Sequence, residues 1–371
     1  MVVGLLPALG GGIRALAETG QQSRLVDGYL RPYARAFDGL VYVSYLPESL
    51  AEFTDDPDLL RRVRLLAPPR PMNRGRRALE IPRVHAAELG ACAALRVFQI
   101  TGVIPALAAR RRFGVPYVTT YGFWYARLSR PGPKRLLKAF VERLGLRRAA
   151  AVIVPTEELR VHASRLARRV ELIPNGVDTS QFRPLSGSPR RDGKRRILYV
   201  GRLSPEKNLA RVVRATASMG PGVIDVMVGS GPLRDELQAQ AHRLGVAIEF
   251  PGVVDQRRLP EVYASADAFV LASFTEGHPK ALLEAMACGV PCVASDCAGN
   301  RSLVRDGETG LLFDPAKSSE LAACLDRVLH EPGLAEGLTR AAREEVVARY
   351  DLRALVEREI SLVRDVARGG G

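Results

Sequence analysis

Apolar positions along this chain alternate between two rhythms. Short runs bounded by Gly, Pro or Asn read as buried parallel strands, and longer stretches with apolar residues three and four apart read as helices. In the first half, M-V-V-G-L-L, G-L-V-Y-V-S-Y, V-R-L-L-A, L-R-V-F-Q-I, V-P-Y-V-T-T-Y, A-V-I-V-P and V-E-L-I-P predict strands, with helices around 22–37, 78–94, 104–113, 134–149 and 157–168. A polar stretch with a basic flank, R-P-L-S-G-S-P-R-R-D-G-K-R-R (Arg183 to Arg196), then interrupts the rhythm and marks a linker. Beyond it R-I-L-Y-V-G, V-I-D-V-M-V-G, I-E-F-P-G, A-F-V-L-A and P-C-V-A-S alternate with helices near 207–218, 232–244, 258–265 and 280–288, and helices at 317–330, 334–349 and 352–368 close the chain. Strand–helix alternation in both halves predicts an α/β protein of two Rossmann-like, doubly wound domains facing a cleft. The expected domains are residues 1–183 and 184–349, with a helix at about 350–371 packing back on the first.

A chain of 371 residues exceeds what one hydrophobic core usually sustains, which agrees with two domains. Charge adds a second asymmetry. Residues 1–185 hold 29 Lys and Arg against 15 Asp and Glu, whereas residues 186–371 hold 25 of each, so the whole excess of +14 lies in the first half. It concentrates in 61–77, in Arg110, Arg111 and Arg112, and in Lys134 to Arg148, a stretch that places Leu136, Leu137, Phe140, Val141 and Leu144 on one side. Such a helix can lie on anionic lipid, or it can pack its stripe inward and show arginines to water. No nucleic-acid motif accompanies the charge. The five cysteines are odd in number and lack zinc-knuckle spacing, and the start of the chain does not resemble a secretory signal, so a reduced cytosol is expected, with contact at the inner membrane face. The most apolar window, Leu89 to Ala109, contains Arg96, Gln99, Gly102 and Pro105 and predicts no membrane-spanning helix.

The candidate chemistry centres on E-G-H-P-K-A-L-L-E. Glu276 follows the apolar run Asp267 to Phe274, and Glu284 falls on the helical segment Ala281 to Ala287, so a strand-to-helix turn separates them. Gly277 lets backbone approach a ligand, and Pro279 suits a first helical position, leaving free N–H groups of the helix end for an anion. Two carboxylates beside that turn can hold hydroxyl groups while the helix end holds phosphate, which is the donor set for a sugar, a ribose and a diphosphate. The acidic D-D-P-D (Asp55 to Asp58) contains an Asp-x-Asp but reads as a solvated loop far from this segment.

V-G-R-L-S-P-E-K-N-L (Val200 to Leu209), P-N-G-V-D followed by Phe182, G-S-G-P-L (Gly229 to Leu233), S-F-T-E-G-H-P-K-A-L-L-E-A-M-A-C-G-V-P-C-V-A-S-D and D-G-E-T-G-L-L-F resemble the retaining glycosyltransferases of the GT-B fold, the group containing sucrose synthase and bacterial mannosyltransferases. The resemblance is strong over about 170–315. Residues 1–169 match more loosely, through the Gly10-Gly11-Gly12 loop, which is similar to the family's glycine loop near donor and acceptor. The resemblance implies that Arg202 and Lys207 neutralise the donor diphosphate in place of a metal ion, chemistry that suits a forked guanidinium and a point ammonium. It assigns Glu276 to the sugar side and Glu284 to the ribose hydroxyls. Gly201, Gly277, His278, Pro279, Lys280 and Gly12 would contribute further donor contacts, and Gly11 would lie on the acceptor or sugar side.

One departure stands out. Many family members carry a His-Gly pair after the strand that here ends V-T-T-Y-G-F-W-Y, and Tyr121 stands in the place of that histidine. A phenol can hydrogen-bond a hydroxyl but is not cationic near neutral pH. Phe123, Trp124 and Tyr125 follow, as a sugar platform or as core. The implied function is metal-independent, retaining transfer of a hexose-type sugar from a nucleoside diphosphate to a glycan or lipid-linked acceptor, with no cofactor. A sugar-nucleotide epimerase of the same fold, for which His85 and His162 are the histidines on the N-terminal wall, and a non-catalytic polyanion- or membrane-binding module are the alternatives.

Overall fold

A computed structural model describes residues 1–124, 132–185 and 193–369. The chain divides into two compact units, one of Met1–Pro174 with the closing segment from Arg353, and one of Asn175–Leu352. The division falls at Pro174, ahead of the linker predicted from Arg183. The reason is that N-G-V-D, from Asn175, already belongs to the second unit: Val177 bridges Asp351, and Asn175 bonds the backbone of His278. Half of the polar stretch read as a linker, residues 186–192, lies outside the described residues.

The first unit is a seven-stranded parallel sheet of β1 (Val2–Leu6), β2 (Gly39–Val43), β3 (Val63–Leu66), β4 (Ala94–Val97), β5 (Tyr117–Thr120), β6 (Ala151–Val154) and β7 (Val170–Leu172), in the order β3-β2-β1-β4-β5-β6-β7. All seven match the apolar runs. The second unit repeats the topology with β8 (Arg195–Val200), β9 (Val223–Val228), β10 (Ala247–Gly252), β11 (Ala268–Leu271), β12 (Cys292–Ser295) and β13 (Leu311–Phe313), ordered β10-β9-β8-β11-β12-β13. In each sheet the strand order reverses beside the first strand of the unit, between β1 and β4 and between β8 and β11. Ligands of open α/β sheets bind beyond the carboxyl ends at such a point.

Three local readings need correction. D-D-P-D is a helix start and not a loop: Asp56 caps Pro57–Arg62 by accepting from the Asp58 and Leu59 N–H groups, and Arg31 pairs with it. The helix expected at 78–94 is two, Arg74–Val84 and Ala86–Gly90. The amphipathic helix, Pro133–Arg148, buries Glu142, Gly145 and Leu146, leaving Leu136, Leu137 and Phe140 exposed.

The closing helix Leu352–Ala367 docks on the first unit through a buried ion pair. Arg96 donates Nε and Nη2 to the Glu359 carboxylate at 2.9 and 2.8 Å, and the Tyr33 hydroxyl donates to it at 2.7 Å. Desolvation of the guanidinium is thereby offset by a bidentate partner.

Candidate functional site

In the second unit the loops leaving β8, β9 and β11 are laced together by backbone. Gly201 N–H donates to the Val228 carbonyl at 2.9 Å, Leu203 N–H to Ser230 at 2.9 Å, and Phe274 N–H to Glu206 at 3.0 Å. The approach is close enough that a Cβ on Gly229 would lie 2.0 Å from the Gly201 carbonyl oxygen, so only glycine fits. This brings the V-G-R-L and G-S-G-P segments to one rim at the switch point.

On that rim Lys207 and Glu276 meet. Lys207 Nζ and the Ser273 hydroxyl both donate to Glu276 Oε1 at 2.6 Å, with the lysine side chain 21% and the glutamate side chain 8% exposed. Glu276 is fixed from behind by Gly299, where a Cβ would lie 2.4 Å from the Glu276 carbonyl oxygen. No sequence reading singled out Gly299, because its neighbour is 23 positions away and only the fold pairs them. Arg202 is exposed on the same loop, its carbonyl held by the Tyr199 hydroxyl at 2.8 Å. Burial works against ionisation of Glu206, yet the Ser204 hydroxyl, its own backbone N–H, Arg202 and Lys207 hold its carboxyl below the ordinary range.

Helix Lys280–Ala287 begins one residue later than the turn chemistry predicts, with Pro279 as its cap in extended backbone (φ −73°, ψ 120°). Gly277 and Pro279 are buried and Lys280 is exposed. The first N–H groups of a helix have no partner within it and carry its positive dipole end. The His278 side chain turns inward, 5% exposed and 5.6 Å from the Tyr350 ring; its Nδ1 has no hydrogen-bond partner, and burial lowers its pKa to about 3, so it is neutral. His278 therefore offers backbone rather than imidazole to a ligand. The Asn175 amide donates to its carbonyl at 2.7 Å, joining the P-N-G-V-D motif to the two-glutamate motif. Glu284 is 2% exposed and accepts from the Tyr263 hydroxyl at 3.0 Å. The motif's spacing showed its place on the helix but not this partner.

The first unit treats its candidate residues differently. The helix Ile13–Ala17 behind the glycine loop has its start filled by Glu48, whose carboxylate accepts from the Ile13 and Arg14 N–H groups at 2.9 and 2.7 Å. Gly12 backs onto Ser44 and Glu48, and Gly11 is tied by Ala8 and Tyr45. Tyr121 is fully buried and donates to Glu142 at 2.9 Å, so its hydroxyl is committed to the core of its own unit and is not displayed to a sugar. Trp124 is 38% exposed and packs on His162 with ring centroids 3.9 Å apart and the rings tilted by 34°; Tyr125 lies outside the described residues. Burial and Arg165 lower the His162 pKa. His85, the other histidine considered, bonds Arg77 at 3.2 Å. Among the described residues no three His, Cys, Asp or Glu side chains group as a metal centre.

Family models account for nearly all of this architecture. Residues 14–181 match Glycosyltransferase Family 4, and residues 185–345 match Glycosyl transferases group 1. The chain belongs to the GT-B glycosyltransferases. Sucrose-phosphate synthase from Thermosynechococcus elongatus superposes over 100% of both chains with a TM-score of 0.80 at 23% identity. Anabaena HepE in complex with UDP and glucose covers 98% of this chain and 99% of its own, with a TM-score of 0.77 at 18% identity. At such identities the likeness shows the GT-B fold. By sequence, glycogen synthase from Mycobacterium tuberculosis is 32% identical over 205 residues, 54% of this GT-B chain and 49% of its own length. The match thus spans about half of that curated relative.

Proposed function

We propose that this GT-B protein is a metal-independent, retaining glycosyltransferase that moves a sugar from a nucleoside diphosphate to a glycan or lipid-linked acceptor. The observation that carries the reading is the Lys207–Glu276–Ser273 junction at the switch point of the second sheet, beside Arg202 and the start of helix Lys280–Ala287. In this reading the diphosphate takes Lys207 and Arg202, a pair of cations that does the work of a metal ion. Glu276 is then released to the hydroxyls of the sugar. The bond from the anomeric carbon to the phosphate oxygen breaks, the acceptor oxygen bonds that carbon on the same face, and the acceptor proton passes to the departing phosphate. Catalysis is positioning and charge stabilisation. Glu284 holds the ribose hydroxyls, which requires them to share or displace the Tyr263 hydroxyl. HepE's complex with UDP makes uridine diphosphates the first donors to try. The first unit receives the acceptor, and its positive charge suits the anionic inner face of a membrane, with the protein in the cytoplasm.

The test has two readouts. Nucleoside diphosphates and their sugars are screened by thermal shift, and the product formed with the stabilising donor is analysed by NMR in excess EDTA. An α-linked donor gives an α-linked product, and turnover persists in chelator. An inverted product overturns retention, activity restored only by Mg²⁺ or Mn²⁺ overturns the role of Arg202 and Lys207, and interconversion of nucleotide sugars without acceptor replaces transfer by epimerisation.

A further inference from the structure

The positive charge of the first unit is gathered on one layer of helices. Arg74–Val84 packs on Val103–Phe113, which packs on Pro133–Arg148. Their inner residues Ala78, Ile81, Val103, Ala106 and Leu146 join Leu95 and Val97 of β4 in one core. Arg96, between those two, turns to the other side of the sheet and meets Glu359 of the closing helix, because successive strand residues face opposite ways. The three-helix layer and the closing helix therefore cover opposite faces of one sheet.

The two faces differ in charge and in apolar exposure. The three helices hold 13 Lys and Arg against two acids, Glu80 and Glu142. Glu142 is buried against Tyr121, and Glu80 pairs with Arg76. The closing helix holds Arg353, Arg358 and Arg364 against Glu357, Glu359 and Asp365. The layer also exposes large apolar side chains among its cations: Leu79, Val84, Leu136, Leu137 and Phe140 are each at least 63% exposed. No large apolar side chain of the closing helix is exposed. Adjacent exposed apolar side chains mark an interaction surface.

We infer that the outer face of the Arg74–Val84, Val103–Phe113 and Pro133–Arg148 layer is the docking surface of this protein for an anionic lipid bilayer. The inference rests on the membrane contact proposed above and narrows it to one face. A bilayer offers both partners that the face asks for: headgroup phosphates for Lys134, Arg111 and Arg112, and acyl chains for Leu136, Leu137 and Phe140. A nucleic acid would neutralise the cations and leave those three side chains in water. Among the described residues no helix is long and apolar enough to cross a membrane, so docking would be peripheral.

The test is co-sedimentation of the full chain with phosphatidylcholine vesicles and with mixed phosphatidylcholine–phosphatidylglycerol vesicles over a salt series. The expected result is binding to the mixed vesicles alone, weakened by salt. Arg111→Ser with Arg112→Ser lowers it about tenfold or more, and Leu136→Ser, Leu137→Ser and Phe140→Ser together lower it by about the same factor. Arg214→Ser with Arg243→Ser, exposed on helices of the second unit, changes it less than about twofold. Each variant keeps its thermal transition and its nucleoside-diphosphate shift; if the apolar triple variant does not fold, Phe140→Ser alone carries that arm. Equal losses from the two arginine pairs would overturn the assignment to this face while leaving membrane contact standing. Undiminished vesicle binding by the apolar variant would show that Leu136, Leu137 and Phe140 do not enter the bilayer and would overturn the docking face as drawn. No binding to either vesicle would overturn both this inference and the membrane contact, with the transfer reaction untouched.

Discussion

The two sheets share a topology, yet their switch points are furnished in opposite ways. In the second unit the loops after β8 and β11 bring Lys207 and Glu276 together on a partly exposed rim. In the first unit the corresponding helix start, at the glycine loop after β1, is already satisfied by Glu48, and the tyrosine after β5 is locked to Glu142. A helix N-terminus is an anion site only while no side chain of the protein occupies it. Repetition of a fold therefore does not repeat a site.

The sharpest way to break this comparison is Lys207→Ala. If the rim stabilises charge that grows on the departing diphosphate, turnover falls by about 10²- to 10³-fold, as for loss of one oriented donor. Glu48→Gln in the first unit keeps only one of the two bonds, because Ile13 and Arg14 donate to different carboxylate oxygens and an amide has one acceptor, and it changes turnover by less than about threefold. Steady-state kinetics with the donor identified by thermal shift reads both. Comparable losses would make the glycine loop a partner in catalysis and erase the contrast.

Buried acids give a second contrast. Glu359 in the first unit has Arg96 and Tyr33, whereas Asp225, fully buried on β9, has the Thr216 hydroxyl at 2.7 Å on one oxygen and no hydrogen-bond partner on the other. Burial raises the Asp225 pKa to about 7, against the Thr216 bond, which lowers it. Because the folded value lies above the unfolded one, folding favours the protonated form. Its contribution is complete below the unfolded pKa of about 4 and is lost as pH rises toward 7. Between pH 5 and 7 the loss is about 2 kcal/mol. Asp225→Asn should flatten that slope in denaturant titrations, and an unchanged slope would show that Asp225 is not the group responsible.

Much of this was legible in the sequence, and the failures have a common cause. Strands of the first sheet stood out because apolar runs buried on both faces leave a continuous signal, and the glutamate motif landed on its strand-to-helix turn for the same reason. β13 escaped because Leu311–Phe313 is only three residues long behind a polar turn. The Asp56 cap was hidden in a cluster of acids that turn statistics assign to a loop. At the sites the limit was tertiary. Nothing near Gly12 announces that Glu48 fills the helix start behind it, nor does anything near Glu284 announce Tyr263. A motif shows which groups are available; the fold decides which are already taken.

The smallest expected effect tests that rule where the sequence departs from the family. Tyr121→Phe removes one donor from buried Glu142 and changes no volume to speak of. Loss of this one hydrogen bond to a buried carboxylate costs about 1–2 kcal/mol, which a lower denaturation midpoint with an unchanged slope would register. Donor affinity and turnover should stay within about threefold of the parent, because the hydroxyl is buried and donates to Glu142 of its own unit. A turnover loss of a hundredfold at unchanged stability would mean that Tyr121 leaves Glu142 when substrate binds and contributes directly to the sugar site.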